Sequence, residues 1–173
     1  MQRTITVACV LILNACTGVP DNIAPVQNFD LNKYQGKWYE IARLDHSFER
    51  GLEQITAEYS LNSDGSVKVL NRGFSTEEQQ WQQAQGKAKF VDEKTQGHLK
   101  VSFFGPFYGS YIVFKLDQEN YQYAYVTSYS KDYLWLLSRS PQVSEQQLED
   151  FKNTAQRYGF KTDELIYVQH NNL

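Results

Sequence analysis

The sequence predicts an all-β domain: an eight-stranded antiparallel up-and-down β-barrel, with one C-terminal α-helix packed outside it and a short final strand. Three observations carry this prediction. Eight segments with strand-like alternation follow one another with short turns between them. A capped amphipathic segment comes soon after the eighth strand. Tyr and Phe account for 12 and 10 of the 173 residues, and aromatic side chains of this kind favour strands.

The eight predicted strands are separated by turn residues at even spacing. They cover 38–44, 55–61, 66–74, 81–91, 98–104, 110–116, 121–128 and 133–138. The turn between the second and third strands contains Asp64-Gly65, a strong hairpin signal. Even spacing with short connections favours antiparallel pairing in sequence order. A further segment, 165–170, is expected to pair at an edge of the sheet.

The polarity of the strand faces predicts where the helix packs. The second to fifth strands each have one polar and one apolar face, whereas the sixth to eighth are apolar or aromatic on both. A helix covering these last strands would bury their outer face. Ser144 is the predicted N-cap, Gln147 completes a capping box and Gly159 lies at the C-terminal end. The apolar stripe of this helix consists of Leu148, Phe151, Ala155 and Tyr158.

The strand directions bring Trp38 and Arg139 together at one end of the barrel. Because successive strands reverse direction, the first strand begins at the end where the eighth finishes. Trp38 starts the first strand and Arg139 directly follows the last. A guanidinium stacked on an indole is favourable, so we expect this pair to close that end. The opposite end is then open, and an eight-stranded barrel is just wide enough inside for one small ligand.

The inward-facing side chains form a candidate site for an apolar ligand. The expected ligand-binding residues are Trp135, Tyr133, Tyr111, Val113, Asn71, Val69, Ala57, Ala84, Val101 and Phe103. By the same alternation Ala42 and Leu44 face inward, whereas Ile112, Phe114 and Leu116 face the helix. The alternative is a solid core filled by these side chains. Several small inward residues favour a cavity, which suits a long apolar ligand with one polar head.

The first 28 residues differ from the rest of the chain. Residues 1–15 have a positive start and an apolar stretch too short to span a bilayer, as in a signal peptide. This segment leads into Leu13-Asn14-Ala15-Cys16, which resembles a bacterial lipoprotein signal and implies that Cys16 carries lipid. An ordinary signal peptide cleaved nearby is the alternative. Residues 16–28 predict a flexible tether, and 29–173 form the barrel domain.

The residue after the lipidated cysteine indicates which membrane holds a bacterial lipoprotein. In lipoproteins of this kind an Asp there indicates inner-membrane retention, and this chain has Thr17. The resemblance therefore implies a lipid anchor in the outer membrane, facing the periplasm. The other cysteine, Cys9, lies within the signal, so the domain itself has no thiol. A net charge of −3 offers no electrostatic footprint for nucleic acid.

Four stretches of the domain carry a family pattern. They are Asn28-Phe29-Asp30-Leu31-Asn32-Lys33-Tyr34-Gln35-Gly36-Lys37-Trp38-Tyr39-Glu40-Ile41, Asp45-His46-Ser47-Phe48-Glu49-Arg50-Gly51, Lys100-Val101-Ser102-Phe103-Phe104-Gly105-Pro106-Phe107-Tyr108-Gly109 and Tyr133-Leu134-Trp135-Leu136-Leu137-Ser138-Arg139. They resemble the lipocalins, particularly the bacterial outer-membrane members and their apolipoprotein D relatives. The resemblance implies a calyx that binds a fatty acid or lysophospholipid. Arg43, Arg50 and Arg72 could meet a phosphate or carboxylate at its mouth, or be solvated surface charges.

No nucleophile constellation, metal-ligand spacing or phosphate-binding loop is visible, so we predict a binding protein without a cofactor. His46, His98 and His170 are far apart and are expected at the surface. A buried Glu40 would have a raised pKa, and a lipid-modifying, esterase-like enzyme using Glu40, Tyr or His groups is the alternative. A homodimer whose open mouths face each other is a third possibility.

Overall fold

A computed structural model describes residues 17–170, so the predicted signal peptide and Cys16 lie outside the described residues. The elements are α1 (Leu31–Tyr34), β1 (Gly36–Arg43), β2 (Leu52–Leu61), β3 (Val67–Ser75), β4 (Gln80–Phe90), β5 (His98–Ser102), β6 (Gly109–Leu116), β7 (Tyr123–Thr127), β8 (Leu134–Ser138), α2 (Glu145–Arg157), a 3₁₀ turn (Thr162–Glu164) and β9 (Ile166–Tyr167). Neither α-helix in this part of the chain is long and apolar enough to cross a bilayer.

Strands β1 to β8 close into one antiparallel barrel, which confirms the predicted fold. Each strand pairs with the next, and β1 pairs with both β2 and β8. Tyr39 of β1 therefore lies opposite Thr56 on one side and Ser138 on the other. One end of the barrel collects the start of β1, the end of β8 and three hairpin turns. We call this the closed end, and the end with the β1–β2, β3–β4, β5–β6 and β7–β8 loops the open end.

Two β-bulges reverse the facing of side chains in β1 and β6. The register of β1 against β8 shifts after Glu40, and Ala42 and Leu44 consequently pack on the outer face of the barrel. The register of β6 against β7 shifts after Val113, and Leu116 joins the inner cluster. The predicted facings of Ala42, Leu44 and Leu116 are therefore wrong. One extra residue in a strand moves every later side chain to the opposite face.

Helix α2 covers the outer face of the last barrel strands, which explains why they are apolar on both faces. Ser144 accepts a hydrogen bond from the Gln147 backbone N–H at 3.2 Å and caps the helix. The Gln147 side chain donates to the Tyr125 hydroxyl at 2.6 Å, which ties the first turn to β7. Phe151 of α2 is fully buried, and its ring contacts that of Tyr125 in β7. Gly159 follows the last turn with a φ of 81°, a left-handed conformation that favours glycine.

The final strand fills a gap in the barrel wall. β1 pairs with β2 only over 36–39 and then pairs with β9 over 42–43. The Gln54 N–H donates to the Gln169 carbonyl at 3.0 Å, so the segment after β9 also contacts β2. The last strand thus lies between β1 and β2, where these two strands no longer pair with each other.

Residues 17–28 lie against the barrel wall, unlike the flexible tether that the sequence predicts. The Val26 N–H donates to the Val113 carbonyl at 2.8 Å. The Ser110 hydroxyl donates to the Gly18 carbonyl at 2.8 Å, and Ile23 is buried in the outer cluster. The barrel supplies hydrogen-bond partners for the backbone of this segment, which therefore has a defined position despite its polar and proline-containing composition. We call residues 17–28 the wall segment.

Candidate ligand-binding site

The closed end is sealed by Arg139 stacked on Trp38. The guanidinium carbon lies 3.9 Å from the centroid of the indole ring, and Trp38 is fully buried. The indole N–H donates to the Tyr34 carbonyl at 2.8 Å. The Arg139 guanidinium donates to five backbone carbonyls, those of Lys33, Tyr34, Gln35, Lys37 and Tyr121. The arginine therefore joins α1, the start of β1 and the β6–β7 turn at one point.

Above this seal, the barrel contains a cavity of about 690 Å³ that opens at the opposite end. Its walls are mainly apolar. Nine of the ten residues expected at the ligand site line it, namely Trp135, Tyr133, Tyr111, Asn71, Val69, Ala57, Ala84, Val101 and Phe103. Small side chains on β2 and β4 leave the space open, since Asn71 of β3 lies between Ala57 and Ala84 in the register. A volume of this size falls within the usual range for small-molecule pockets.

Val113 is the residue that does not line the cavity. It lies two residues nearer the closed end than Tyr111, paired with Val126 of β7. Its side chain is fully buried within the packed inner cluster of the barrel. The cavity therefore offers a ligand no contact with Val113, because this side chain packs among its buried neighbours in the barrel interior.

The mouth of the cavity extends down one side of the barrel because β4 is longer than the neighbouring strand β5. Residues 80–86 of β4 pair with β3 alone, since pairing with β5 begins only at Lys87. Ala84 is consequently exposed to solvent although it lines the cavity. Phe48, Phe104 and Phe107 surround the opening, and their side chains are 70%, 76% and 70% exposed. We call these three phenylalanines the aromatic rim.

A buried cluster of charged groups joins β1 to the loop that follows it. Glu40 and Arg43 are each 3% exposed and their side chains lie 3.0 Å apart, since the bulge puts both on one side. Arg43 also donates to the Glu49 carbonyl at 3.0 Å. The Glu49 carboxylate accepts from the Trp135 indole at 3.1 Å and lies 3.0 Å from His46 Nε2. Arg43 is thus a buried cation, hydrogen-bonded to the Glu40 carboxyl group and the Glu49 backbone, and not the surface charge that the sequence suggests.

The two carboxyl groups of this cluster have opposite protonation tendencies. Burial, reinforced by the nearby Glu49 charge, raises the pKa of Glu40 well above its usual value. Burial opposes ionisation of Glu49 too, but its contacts with His46, Glu40 and Trp135 outweigh that effect and lower its pKa. The proton of the pair therefore resides on Glu40. Both carboxyl groups line the cavity beneath the β1–β2 loop.

Three tyrosine hydroxyls meet at the floor of the cavity. The Tyr34 and Tyr111 oxygens lie 2.7 Å apart, and those of Tyr59 and Tyr111 lie 2.8 Å apart. All three rings line the cavity, and the Tyr34 ring lies against Trp38 with 4.7 Å between centroids. Burial raises the pKa of each phenol, so all three stay neutral.

The remaining arginine and histidine candidates have different surroundings. Arg50 pairs with Asp45 at 2.6 Å on the surface, whereas Arg72 lines the mouth of the cavity. His46 and His98 are buried, contrary to the expectation that they lie at the surface. The His98 ring contacts the Thr17 carbonyl of the wall segment at 3.1 Å. Across residues 17–170 we find no group of three His, Cys, Asp or Glu side chains arranged to hold a metal ion.

Sequence reasoning missed Tyr34 and Glu49 as cavity residues. Tyr34 belongs to α1, before the first strand, and Glu49 belongs to the long β1–β2 loop. Strand alternation says nothing about either segment. Two features of the sequence point to them: the length of the β1–β2 loop, and an aromatic residue four positions before Trp38. Both segments lie at ends of the barrel, where their side chains can reach its interior.

Comparison with known proteins agrees with this geometry. The family described as a lipocalin-like domain matches residues 29–170, which is the whole barrel with its helix. The chain belongs to the lipocalin family. It is 56% identical over 169 residues to a Vibrio cholerae protein named Outer membrane lipoprotein Blc, with 98% of this chain and 99% of that protein covered.

Other relatives of this lipocalin, and solved structures of other proteins with a similar fold, extend the comparison. It is 46% identical to Outer membrane lipoprotein Blc of Escherichia coli K12, covering 95% of this chain and 92% of that protein. It is 32% identical to mouse apolipoprotein D, with 86% of this chain and 81% of that protein covered. Insecticyanin from the tobacco hornworm Manduca sexta superposes with a TM-score of 0.71 at 23% identity, over 90% of this chain and 88% of that one. That likeness concerns the fold alone.

Proposed function

We propose that this lipocalin binds and carries or stores a fatty acid or lysophospholipid at the outer membrane, anchored through lipid on Cys16. The observation that carries the proposal is the cavity of about 690 Å³, sealed at one end by Trp38 and Arg139 and open at the other. Apolar walls favour an acyl chain inside, since burying apolar surface is the main source of affinity for such a ligand.

The mouth supports an anionic head group. Arg72 lines the opening and its guanidinium lies 5.2 Å from the centroid of the exposed Trp81 ring. A carboxylate or phosphate held there keeps most of its hydration, which avoids the cost of burying a charge. Tyr129 and Tyr133 add hydroxyl groups at the same level. A fatty acid and a lysophospholipid share this pattern of one acyl chain with an anionic end.

The membrane location is supported by the relatives and by the wall segment. Relatives named Outer membrane lipoprotein Blc align over 98% and 95% of this chain. Thr17, the residue after Cys16, already contacts His98 on the barrel wall, and Gly18 contacts Ser110 near the open end. A lipid on Cys16 would therefore hold the barrel close to the bilayer.

Mass spectrometry of lipid bound to the purified protein tests the proposal directly. We expect a fatty acid or lysophospholipid to co-purify and to be recovered unchanged after incubation with excess protein. Multiple turnover of added lipid would contradict a carrier role and favour a lipid-modifying enzyme. Absence of any single-chain lipid, and no binding of added lipid, would overturn the proposal.

Trp135→Ala is expected to weaken fatty acid binding about ten-fold, because the indole forms part of the cavity wall. Displacement of a fluorescent lipid probe measures this affinity without relying on the lost tryptophan as reporter. Tyr167→Ala is the control, since Tyr167 is 43% exposed on β9, outside the cavity, and its loss should leave the affinity unchanged. Equal affinities for both variants and the parent would show that Trp135 does not contact the ligand.

Cys16→Ser is expected to move the protein from the membrane to the soluble fraction, because lipidation needs the thiol. Fractionation of cells followed by immunoblotting measures the distribution. Cys9→Ser, within the predicted signal peptide, is the matched control and should leave the protein at the membrane. Membrane retention of the Cys16→Ser protein would contradict the lipid anchor while leaving ligand binding to be judged separately.

A further inference from the structure

The Asn71 amide is an unpaired polar group inside an apolar cavity. Its Oδ1 atom is buried and has no hydrogen-bond partner among the described residues. The neighbours directly across the sheet are Ala57 and Ala84, whose methyl groups can neither donate nor accept. Because an amide offers both a donor and an acceptor, either orientation of the group leaves unused hydrogen-bonding capacity toward the cavity. Buried polar groups nearly always have partners, so this one calls for an explanation.

The tyrosine cluster at the floor has a donor to spare. Tyr34, Tyr59 and Tyr111 carry three O–H groups, and the chain of two hydrogen bonds between them uses two. Tyr59 pairs with Val69, two residues along β3 from Asn71, so Tyr59 and Asn71 are diagonal neighbours on the inner face of the sheet. The two sets of polar groups therefore lie next to each other, deeper in the barrel than the aromatic rim.

The electrostatic surroundings select a neutral partner for these groups. The Arg139 guanidinium is occupied by backbone carbonyls and is stacked on the Trp38 ring at the closed end. The nearby Glu49 charge opposes a second anion, since it adds to the effect of burial in raising the pKa of Tyr59. A buried carboxylate here would have no cation to pair with and would be costly. A hydroxyl group can both donate and accept without carrying charge.

We propose that Asn71 and the Tyr34–Tyr59–Tyr111 cluster form an inner polar subsite that binds a hydroxyl group carried along the acyl chain of the ligand. The preferred ligands are then hydroxylated single-chain lipids, with the anionic head at the mouth and the hydroxyl group at depth. This inference rests on the proposed function, since it concerns the acyl chain of the same ligand. It assigns the specificity of the cavity to its inner wall and not to its mouth.

The test compares the affinities of stearate, 2-hydroxystearate and 12-hydroxystearate for the full-length purified protein by probe displacement. We expect 12-hydroxystearate to bind about ten-fold more tightly than stearate. The 2-hydroxy isomer, whose hydroxyl stays beside the head group, should bind like stearate. Equal affinities for stearate and 12-hydroxystearate would overturn the inference and leave water as the partner of Asn71. Failure of all three to bind would instead overturn the proposed function.

Two variants assign the effect to the subsite. Asn71→Leu and Tyr59→Phe should each abolish most of the preference for 12-hydroxystearate, measured as the ratio of its affinity to the affinity of stearate for the same variant. Gln83→Leu is the matched control, because Gln83 lines the cavity at the sideways mouth and should keep the preference. A preference that persists in both subsite variants would contradict the assignment. Since Tyr59→Phe removes only one oxygen, it provides the result even if Asn71→Leu folds poorly.

Discussion

Replacing Arg139 with Met is expected to lower the free energy of unfolding by about 3 kcal/mol. The guanidinium donates to five backbone carbonyls from α1, β1 and the β6–β7 turn, and it covers the Trp38 ring. Methionine can cover the ring but cannot satisfy the carbonyls. The closed end would therefore lose the contact that joins its three segments. Urea unfolding followed by circular dichroism measures the change.

Two further substitutions show whether the shape of the guanidinium matters. Arg139→Lys keeps the charge, but one ammonium cannot reach carbonyls on several sides, so most of the loss should remain. Arg50→Met removes an arginine whose salt bridge with Asp45 is solvent-exposed, and it should leave the urea midpoint close to that of the parent. A Lys variant as stable as the parent would show that charge alone closes the barrel end.

The inner wall of the barrel was predictable wherever its strands are regular. Strict alternation placed Ala57, Val69, Asn71 and Ala84 on one face, and in the register Asn71 lies opposite both Ala57 and Ala84. Alternation failed beyond the bulges in β1 and β6. Neither bulge is marked by a glycine or proline, so the pattern gives no warning that Leu116 or Ala42 changes face. The tertiary packing of α2 selects those facings.

The polar groups of the site were less predictable than its apolar walls. Arg43 and His46 look like surface residues because charged and polar side chains are rarely buried alone. Here they are buried together, with Glu49 supplied by a loop that no strand pattern describes. Likewise the Tyr34–Tyr111 and Tyr59–Tyr111 contacts join residues 77 and 52 positions apart. Such partners become neighbours only when the barrel closes.

Arg43→Met is expected to lower the free energy of unfolding by about 4 kcal/mol at neutral pH, because it leaves the buried Glu49 carboxylate and its proton-bearing neighbour Glu40 without their cation. Arg43 is 3% exposed and lies 3.0 Å from both Glu40 Oε1 and the Glu49 carbonyl. Chemical unfolding of the parent, Arg43→Met, Glu40→Gln and the double variant forms a double-mutant cycle. The cost of Arg43→Met should be smaller when Glu40 is already Gln. An unchanged cost would show that Arg43 acts through packing alone.

The same cluster predicts a dependence of stability on pH. The pKa of Glu40 is raised above its usual 4.5 in the folded protein, so the folded state holds a proton that the unfolded state releases. The stability contributed by Glu40 is therefore present below pH 4.5 and decreases as the pH rises through the raised pKa. Glu49, whose pKa is lowered, contributes stability that is lost as the pH falls below 4.5. Glu40→Gln removes the first effect and keeps an amide N–H that can still donate to Glu49, so as the pH rises above 4.5 its unfolding free energy should rise relative to that of the parent. A difference between the two proteins that is constant over this range would mean that Glu40 is ionised throughout, which the burial of its carboxyl group opposes.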